Sequence, residues 1–175
     1  MRFEFAKAIE ILSRTPDTLH SLLSGISEDW SHVNEGGDSW SAHDIIGHLI
    51  HGEKTDWIPR MEIILGQQAD KKFKPFDRFA QFQASQGQSL EELLRIFAEL
   101  RSHNIEILES KNLTMEALQK KGIHPAFGEV SLSQLLSTWV VHDLNHIAQI
   151  ARVMARQYQE DVGPWIAYLK ILNSN

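Results

Sequence analysis

The chain has 175 residues, 42% hydrophobic and 23% charged, a balance that fits one soluble globular domain over 1–175 with a single sizeable core. With 17 Lys and Arg against 23 Asp and Glu the formal charge is −6, and the basic residues form no stripe, which argues against nucleic acid as a partner. There are no cysteines, so disulfides, zinc–thiolate sites, iron–sulfur clusters and a cysteine nucleophile are excluded together. Any metal chemistry must then come from carboxylates and the nine histidines. No apolar run approaches the roughly 20 residues of a membrane helix, so no membrane association is expected. The opening Met1-Arg2-Phe3-Glu4-Phe5 carries acid and no uninterrupted apolar stretch, so the expected location is cytoplasmic.

Apolar residues recur mostly at helical spacing, and strand-like alternation is scarce. Phe5, Ala8, Ile9 and Leu12 predict a short helix over 3–12. Thr15-Pro16 then reads as an N-cap followed by proline at the first helical position, with Leu19, Leu22 and Leu23 as the apolar face and Gly25 as the stop. After a loop over 26–40, Ser41 and Asp44 form an approximate capping box that opens a helix to about Leu65. Pro59 should kink it, because proline lacks a backbone donor and crowds the preceding turn.

Residues 67–88 are polar and punctuated by Pro75 and Gly87, a long connection. Ser89 with Glu92 is a strict capping box for a helix to about Ser110, whose face carries Leu90, Leu93, Leu94, Phe97, Leu100, Ile107 and Leu108. A short turn over 114–120 ends at Gly122. Ser131 with Gln134 opens a long helix to about Tyr158, and Gly163-Pro164 starts a final short helix over 165–171. Four principal helices without repeats predict an all-α four-helix bundle. The connections over 67–88 and 110–130 are each about 20 residues, long for a bundle. At roughly 3.3 Å per extended residue the first could cross its full length, so a simple up-down order is not required.

The last long helix carries the chemistry. Its inward seam reads Leu132, Leu135, Trp139, His142, His146, Gln149, Val153. His142 and His146 do not suit a core, because a buried imidazole needs partners for two ring nitrogens. Spaced i, i+4, they share a face and can point at one metal ion. A third ligand could come from the second helix, which holds His43, His48 and His51. The stripe through Ile45, Leu49 and Ile50 puts His48 at the edge of the inward face, with His51 about 60° around the wheel and His43 near the helix start. His20, His32, His103 and His124 read as loop or surface residues.

These segments resemble the DinB-like superfamily, the group that includes thiol-dependent transferases acting with bacillithiol or mycothiol. The resemblance lies in Trp40-Ser41-Ala42-His43-Asp44-Ile45-Ile46-Gly47-His48-Leu49 with Glu53, in Trp57-Ile58-Pro59-Arg60, and in Phe76-Asp77-Arg78-Phe79. It continues through Val141-His142-Asp143-Leu144-Asn145-His146-Ile147-Ala148-Gln149-Ile150 and Gly163-Pro164-Trp165 with Tyr168-Leu169. The resemblance implies an up-down-down-up bundle with long crossover linkers and a divalent metal on three histidines, which map onto His48, His142 and His146. It also implies a homodimer. Zinc, nickel or iron would suit such a site.

Three protein ligands leave at least one position open, which favours chemistry or exchangeable binding over a closed structural site. An ion held this way could activate water or deprotonate a thiol. With no cysteine in the chain, a thiolate must come from a low-molecular-weight thiol. The resemblance favours a metal-dependent thiol S-transferase on a small-molecule substrate. The alternatives are a metal-dependent hydrolase and a noncatalytic metal-binding, stress-response dimer. Asp44, one turn before His48, and Asp143 are candidates to accept the second ring N–H of a ligand histidine. Arg60 and Arg78 are candidates to clamp a carboxylate, and Trp57 and Trp139 to line a pocket.

Overall fold

In a computed structural model that describes residues 3–173, the chain forms four helical rods. The first is α1 (Phe5–Leu12) followed by α2 (Thr15–Leu23), and the short α3 (Glu28–Ser31) lies in the next connection. The second rod is α4 (Ala42–Thr55) with α5 (Trp57–Leu65), after which α6 (Ala80–Ala84) lies in the long crossover. The third is α7 (Leu90–Ser110), and the fourth is α9 (Leu132–Arg156). Between the last two lie α8 (Met115–Gln119) and a hairpin of β1 (Lys121–His124) and β2 (Gly128–Ser131). The three predicted capping boxes start α4, α7 and α9, each with its serine hydroxyl and its third-position side chain both engaged.

Two apolar clusters fix the direction of every rod. One gathers Leu19, Leu23, Ala42, Ile45, Leu49, Leu93, Phe97, Ile150 and Val153. The other gathers Leu12, Trp57, Met61, Ile64, Leu108, Leu132, Leu136 and Trp139. The first and fourth rods run from the second cluster to the first, and the second and third run the opposite way. The order is therefore up-down-down-up, as expected. Two adjacent rods that run the same way need a connection spanning the bundle, and residues 66–89 supply it.

Between the clusters lies a polar layer to which every rod contributes. Arg101 is 1% exposed and its two Nη groups reach both oxygens of Asp143, at 2.5 and 2.9 Å, and Glu53 at 2.8 Å. Thr15 donates to Asp143 at 2.7 Å, Asn104 to Glu53 at 2.9 Å, and the Trp139 indole to Glu53 at 3.2 Å. Burial alone would lower the Arg101 pKa, but the Glu53 and Asp143 carboxylates outweigh it and hold the guanidinium above its ordinary value. The guanidinium plane also lies over the rings of Phe97 and Trp139.

Pro16 and Pro59 each break a rod through the carbonyl four residues earlier. Pro16 leaves the Leu12 carbonyl without its helical donor, and Arg101 Nη1 fills that position at 2.9 Å. Thr15 does not act as the expected N-cap: Arg14 is already in the αR region, and the Thr15 hydroxyl donates to Ile11 and Asp143. Pro59 does more than kink one helix. It removes the donor for Thr55, and the rod divides at Asp56 (φ −111°, ψ −67°) into α4 and α5.

Three local expectations are corrected. Gly122 is no terminator: it sits inside β1, where a Cβ would meet the Phe73 ring at 2.4 Å. The hairpin pairs Lys121 with Ser131 and His124 with Gly128, and strand alternation over four residues is too short to read from sequence. The last segment is a 3-10 turn over Gly163–Tyr168 and then α10 (Lys170–Asn173), anchored by buried Leu172 rather than forming one helix over 165–171. Among the described residues no helix is long and apolar enough to cross a membrane.

Arg101→Met should leave two buried carboxylates without a cation and cost about 3–5 kcal/mol. Urea denaturation would read this, and adding Glu53→Gln and Asp143→Asn should recover part of the loss.

Candidate metal centre

The seam of α9 and the inward edge of α4 face each other just outside the Arg101 layer. His142 and His146 stand one turn apart on α9, and His48 meets them from α4. The Nε2 atoms of His48 and His142 lie 3.0 Å apart, and those of His142 and His146 3.1 Å apart. The three offer ligand atoms that all fall within 4.8 Å of one another, the one such group of His, Asp or Glu side chains among the described residues. A tetrahedral ion with nitrogen ligands at 2.0–2.1 Å would set neighbouring nitrogens about 3.3 Å apart, close to what is observed.

Hydrogen bonding alone does not satisfy this cluster. His146 Nδ1 donates to Gln149 Oε1 at 2.8 Å, which leaves a lone pair on its Nε2. His142 Nε2 faces two other ring nitrogens and has one proton at most to share. The Nδ1 atoms of His48 and His142 are buried without any partner. A cation that accepts three Nε2 lone pairs removes the conflict at the centre, so the donor set fits a divalent metal. Burial, reinforced by His146, His51 and Arg78, pushes the His48 pKa down to about 3. Burial, then His146, His48 and Arg101, pushes His142 down to about 2. His146 is lowered chiefly by burial, against the Gln149 hydrogen bond and the Asp143 charge. All three imidazoles are thus neutral at physiological pH, the state that binds metal.

Aromatic rings enclose the imidazoles. Trp40 lies 4.8 Å from His48, Phe76 lies 5.5 Å from His48, and Trp57 lies 5.1 Å from His142. His48 and His142 form one end of a pocket of about 300 Å³. Its walls come from α5 (Trp57, Arg60), the crossover (Phe73, Phe76, Arg78) and the hairpin (His124, Phe127, Val130). Crossover and hairpin are stitched together by Phe73 N–H to Ile123 at 2.9 Å and Ile123 N–H to Lys71 at 2.9 Å.

The other candidates separate from the cluster for visible reasons. His51 packs against Phe76 at 4.9 Å, outside the three-nitrogen group. His43 donates through Nε2 to the Gln88 carbonyl and stacks on His32, a structural role. Asp44 does not reach His48, because its carboxylate is engaged by the Ser41 N–H and hydroxyl of the capping box. Asp143 points the other way along the helix surface, into Arg101. Trp57 lines the pocket, whereas Trp139 is fully buried and stacks on it at 5.6 Å. His124, read as a surface residue, belongs to the pocket wall, where its Nδ1 accepts two backbone N–H groups of the hairpin turn. Arg101 carried no sequence signal, being one arginine among helix-surface charges. Glu53 was visible only as part of a motif.

The fold and the site define a class of helical-bundle proteins with a three-imidazole centre. The sequence pattern of the DinB superfamily matches residues 11–150, and the chain belongs to that superfamily. Among solved structures, YfiT from Bacillus subtilis, described as a probable metal-dependent hydrolase with an unusual four-helix bundle topology, superposes with a TM-score of 0.75. The two are 20% identical over 87% of this chain and 86% of that one, a likeness of fold. No curated protein matches the chain in sequence.

Gly122→Ala tests the wall of the pocket. The added methyl must displace Phe73, at a cost of about 1–3 kcal/mol, and near-ultraviolet circular dichroism should report loosened aromatic packing while the helical signal persists.

Proposed function

We propose that His48, His142 and His146 hold a divalent metal ion, and that the chain is a metal-dependent transferase joining a low-molecular-weight thiol to a small electrophile. The observation that supports this most directly is the convergence of three neutral imidazoles, two of which, His48 and His142, close one end of an aromatic pocket. An ion on three imidazoles keeps its full charge and an open position, and supplies Lewis acidity that lowers the pKa of a thiol or of water. Zinc, nickel and iron all suit such ligands.

The chain's own residues prepare the site. Gln149 fixes the His146 ring with Nε2 free. Trp40, Trp57 and Phe76 exclude water around the imidazoles, which strengthens charge interactions there. Arg101 clamps α4 to α9 through Glu53 and Asp143, so the imidazoles on those two helices are held at fixed separation. In the reaction the thiol gives up its proton and its sulfur forms the bond to the electrophilic carbon. A leaving group departs with its bonding pair, or in an addition the adjacent carbon takes up a proton. With no cysteine in the chain, the sulfur must arrive with the cosubstrate.

A second reading, a metal-dependent hydrolase, is favoured by one residue. Asp56 lines the same pocket, and burial pushes its carboxyl up to about 6 against the attraction of Arg60. A carboxylate in that range is suited to accept a proton from water near neutral pH.

The test begins with metal content by elemental mass spectrometry, on untagged protein purified without chelating resin. One equivalent is expected in the parent and in His51→Ala, with loss in His142→Ala. No metal after reconstitution with several divalent ions would overturn the assignment. Turnover of test electrophiles should then require added thiol. Turnover without thiol would favour hydrolysis, with a rate rising through pH 6 as Asp56 ionises and that limb flattened in Asp56→Asn.

A further inference from the structure

Arg60 is an unusual residue to find buried. It is 8% exposed and is one of the residues that line the pocket. Its Nε is paired with Asp56 at 2.5 Å, and the guanidinium lies 5.2 Å over the Phe73 ring. These two contacts hold the guanidinium between a carboxylate and an aromatic ring. They leave its two Nη groups without a protein acceptor among the described residues. A structural arginine of this burial would have its fork filled, as Arg101 has with two carboxylates and a carbonyl. Arg60 instead lines a cavity with its fork unfilled by the protein.

The charge of the surroundings supports an anion there. Asp56 cancels Arg60, and Arg78 on the crossover leaves the pocket lining with a formal excess of one positive charge when its histidines are neutral. A guanidinium fork placed over an aromatic ring and paired at Nε has two Nη groups left for the planar, two-oxygen geometry of a carboxylate. Arg60 stands about three helical turns along the second rod from His48. The intervening wall, Trp57 and Phe73 included, is apolar.

We infer that one reactant of this site carries a carboxylate, which Arg60 binds through both Nη groups while an apolar body lies along the pocket and the reacting atom sits at the imidazole end. The inference rests on the reading of this pocket as the reactant site. The carboxylate could belong to the thiol or to the electrophile, and the experiment separates these sources.

The first arm uses metal-free His142→Ala protein, so that no carboxylate can bind through an ion, and follows tryptophan fluorescence during titration with phenylbutyrate or its uncharged analogue phenylbutanol. The carboxylate should bind about tenfold more tightly, or better. Asp56→Asn in the same protein removes the carboxylate that Arg60 would otherwise leave buried and unpaired. It should retain the preference, and Asp56→Asn with Arg60→Met should lose it while still binding phenylbutanol. Equal affinities at the start, or a preference that survives loss of Arg60, would overturn the inference.

The second arm uses metal-loaded protein with mercaptohexanoate against mercaptohexanol, and a neutral chloronitrobenzene against its carboxylate analogue. Sulfur displaces chloride, and the thiol proton goes to buffer. Whichever carboxylate partner has its KM raised about tenfold or more by Asp56→Asn with Arg60→Met, relative to Asp56→Asn, is the reactant that Arg60 holds. A carboxylate advantage that the double variant leaves intact in both pairs would overturn the inference. A complete lack of turnover would count against the transferase, and the binding arm would still decide the anion site.

Discussion

A single guanidinium sits where all four rods of this bundle meet. Arg101 comes from the third rod and is bound to Glu53 of the second, Asp143 of the fourth and the Leu12 carbonyl of the first. Two carboxylates and one cation at the centre of an apolar core would be costly if any contact were poor. The layer tolerates them because Thr15, Asn104 and Trp139 supply the remaining donors. The core is consequently two apolar clusters separated by a polar plane, and the helices cannot slide past one another without stranding a charge.

That plane also explains why the imidazoles stand where they do. His142 and Asp143 are neighbours on α9, about 100° apart around the helix, so one residue faces the pocket when the other faces Arg101. His48 and Glu53 divide the same tasks on α4. Fixing the carboxylates inward thereby fixes the imidazoles outward, at nitrogen separations near those of a metal's ligand shell. The negative excess of the layer lies next to them and is felt by His146, through Asp143. An ion in this position would meet a stiff scaffold and a complementary field together.

Much of the frame was legible because it is local. Ser41, Ser89 and Ser131, each with its partner three residues on, mark the starts of three rods, and the i, i+4 spacing of His142 and His146 on an apolar seam marks a shared target. The choice between His48 and His51 was not local, since a wheel separates them by too little; the family resemblance pointed to His48, and the facing helices bring it together with the other two. Arg101 was illegible because its partners are remote in sequence. Asp44 misled in the opposite way: the capping box that made it visible also occupies its carboxylate. Trp57 was a candidate for the pocket wall from sequence, but the wall formed by the crossover and the hairpin was not legible, because its conformation depends on contacts such as Phe73 over Gly122.

The reach of the polar plane has a consequence for how the chain becomes folded. Its bonds join residues separated by 128, 89, 86, 51, 48 and 42 positions. Residue 15 cannot settle until residue 143 has been made and packed, so no N-terminal portion released early from synthesis can complete the layer. A subset of rods without the third would bury Glu53 and Asp143 with no cation, and one without the second or the fourth would leave part of the Arg101 fork unfilled, which penalises such partial structures. Contacts this long-ranged delay closure, because chain entropy is lost before they form. They also disfavour populated intermediates, so opening of the third rod, which carries Arg101, in the native state should expose the other three.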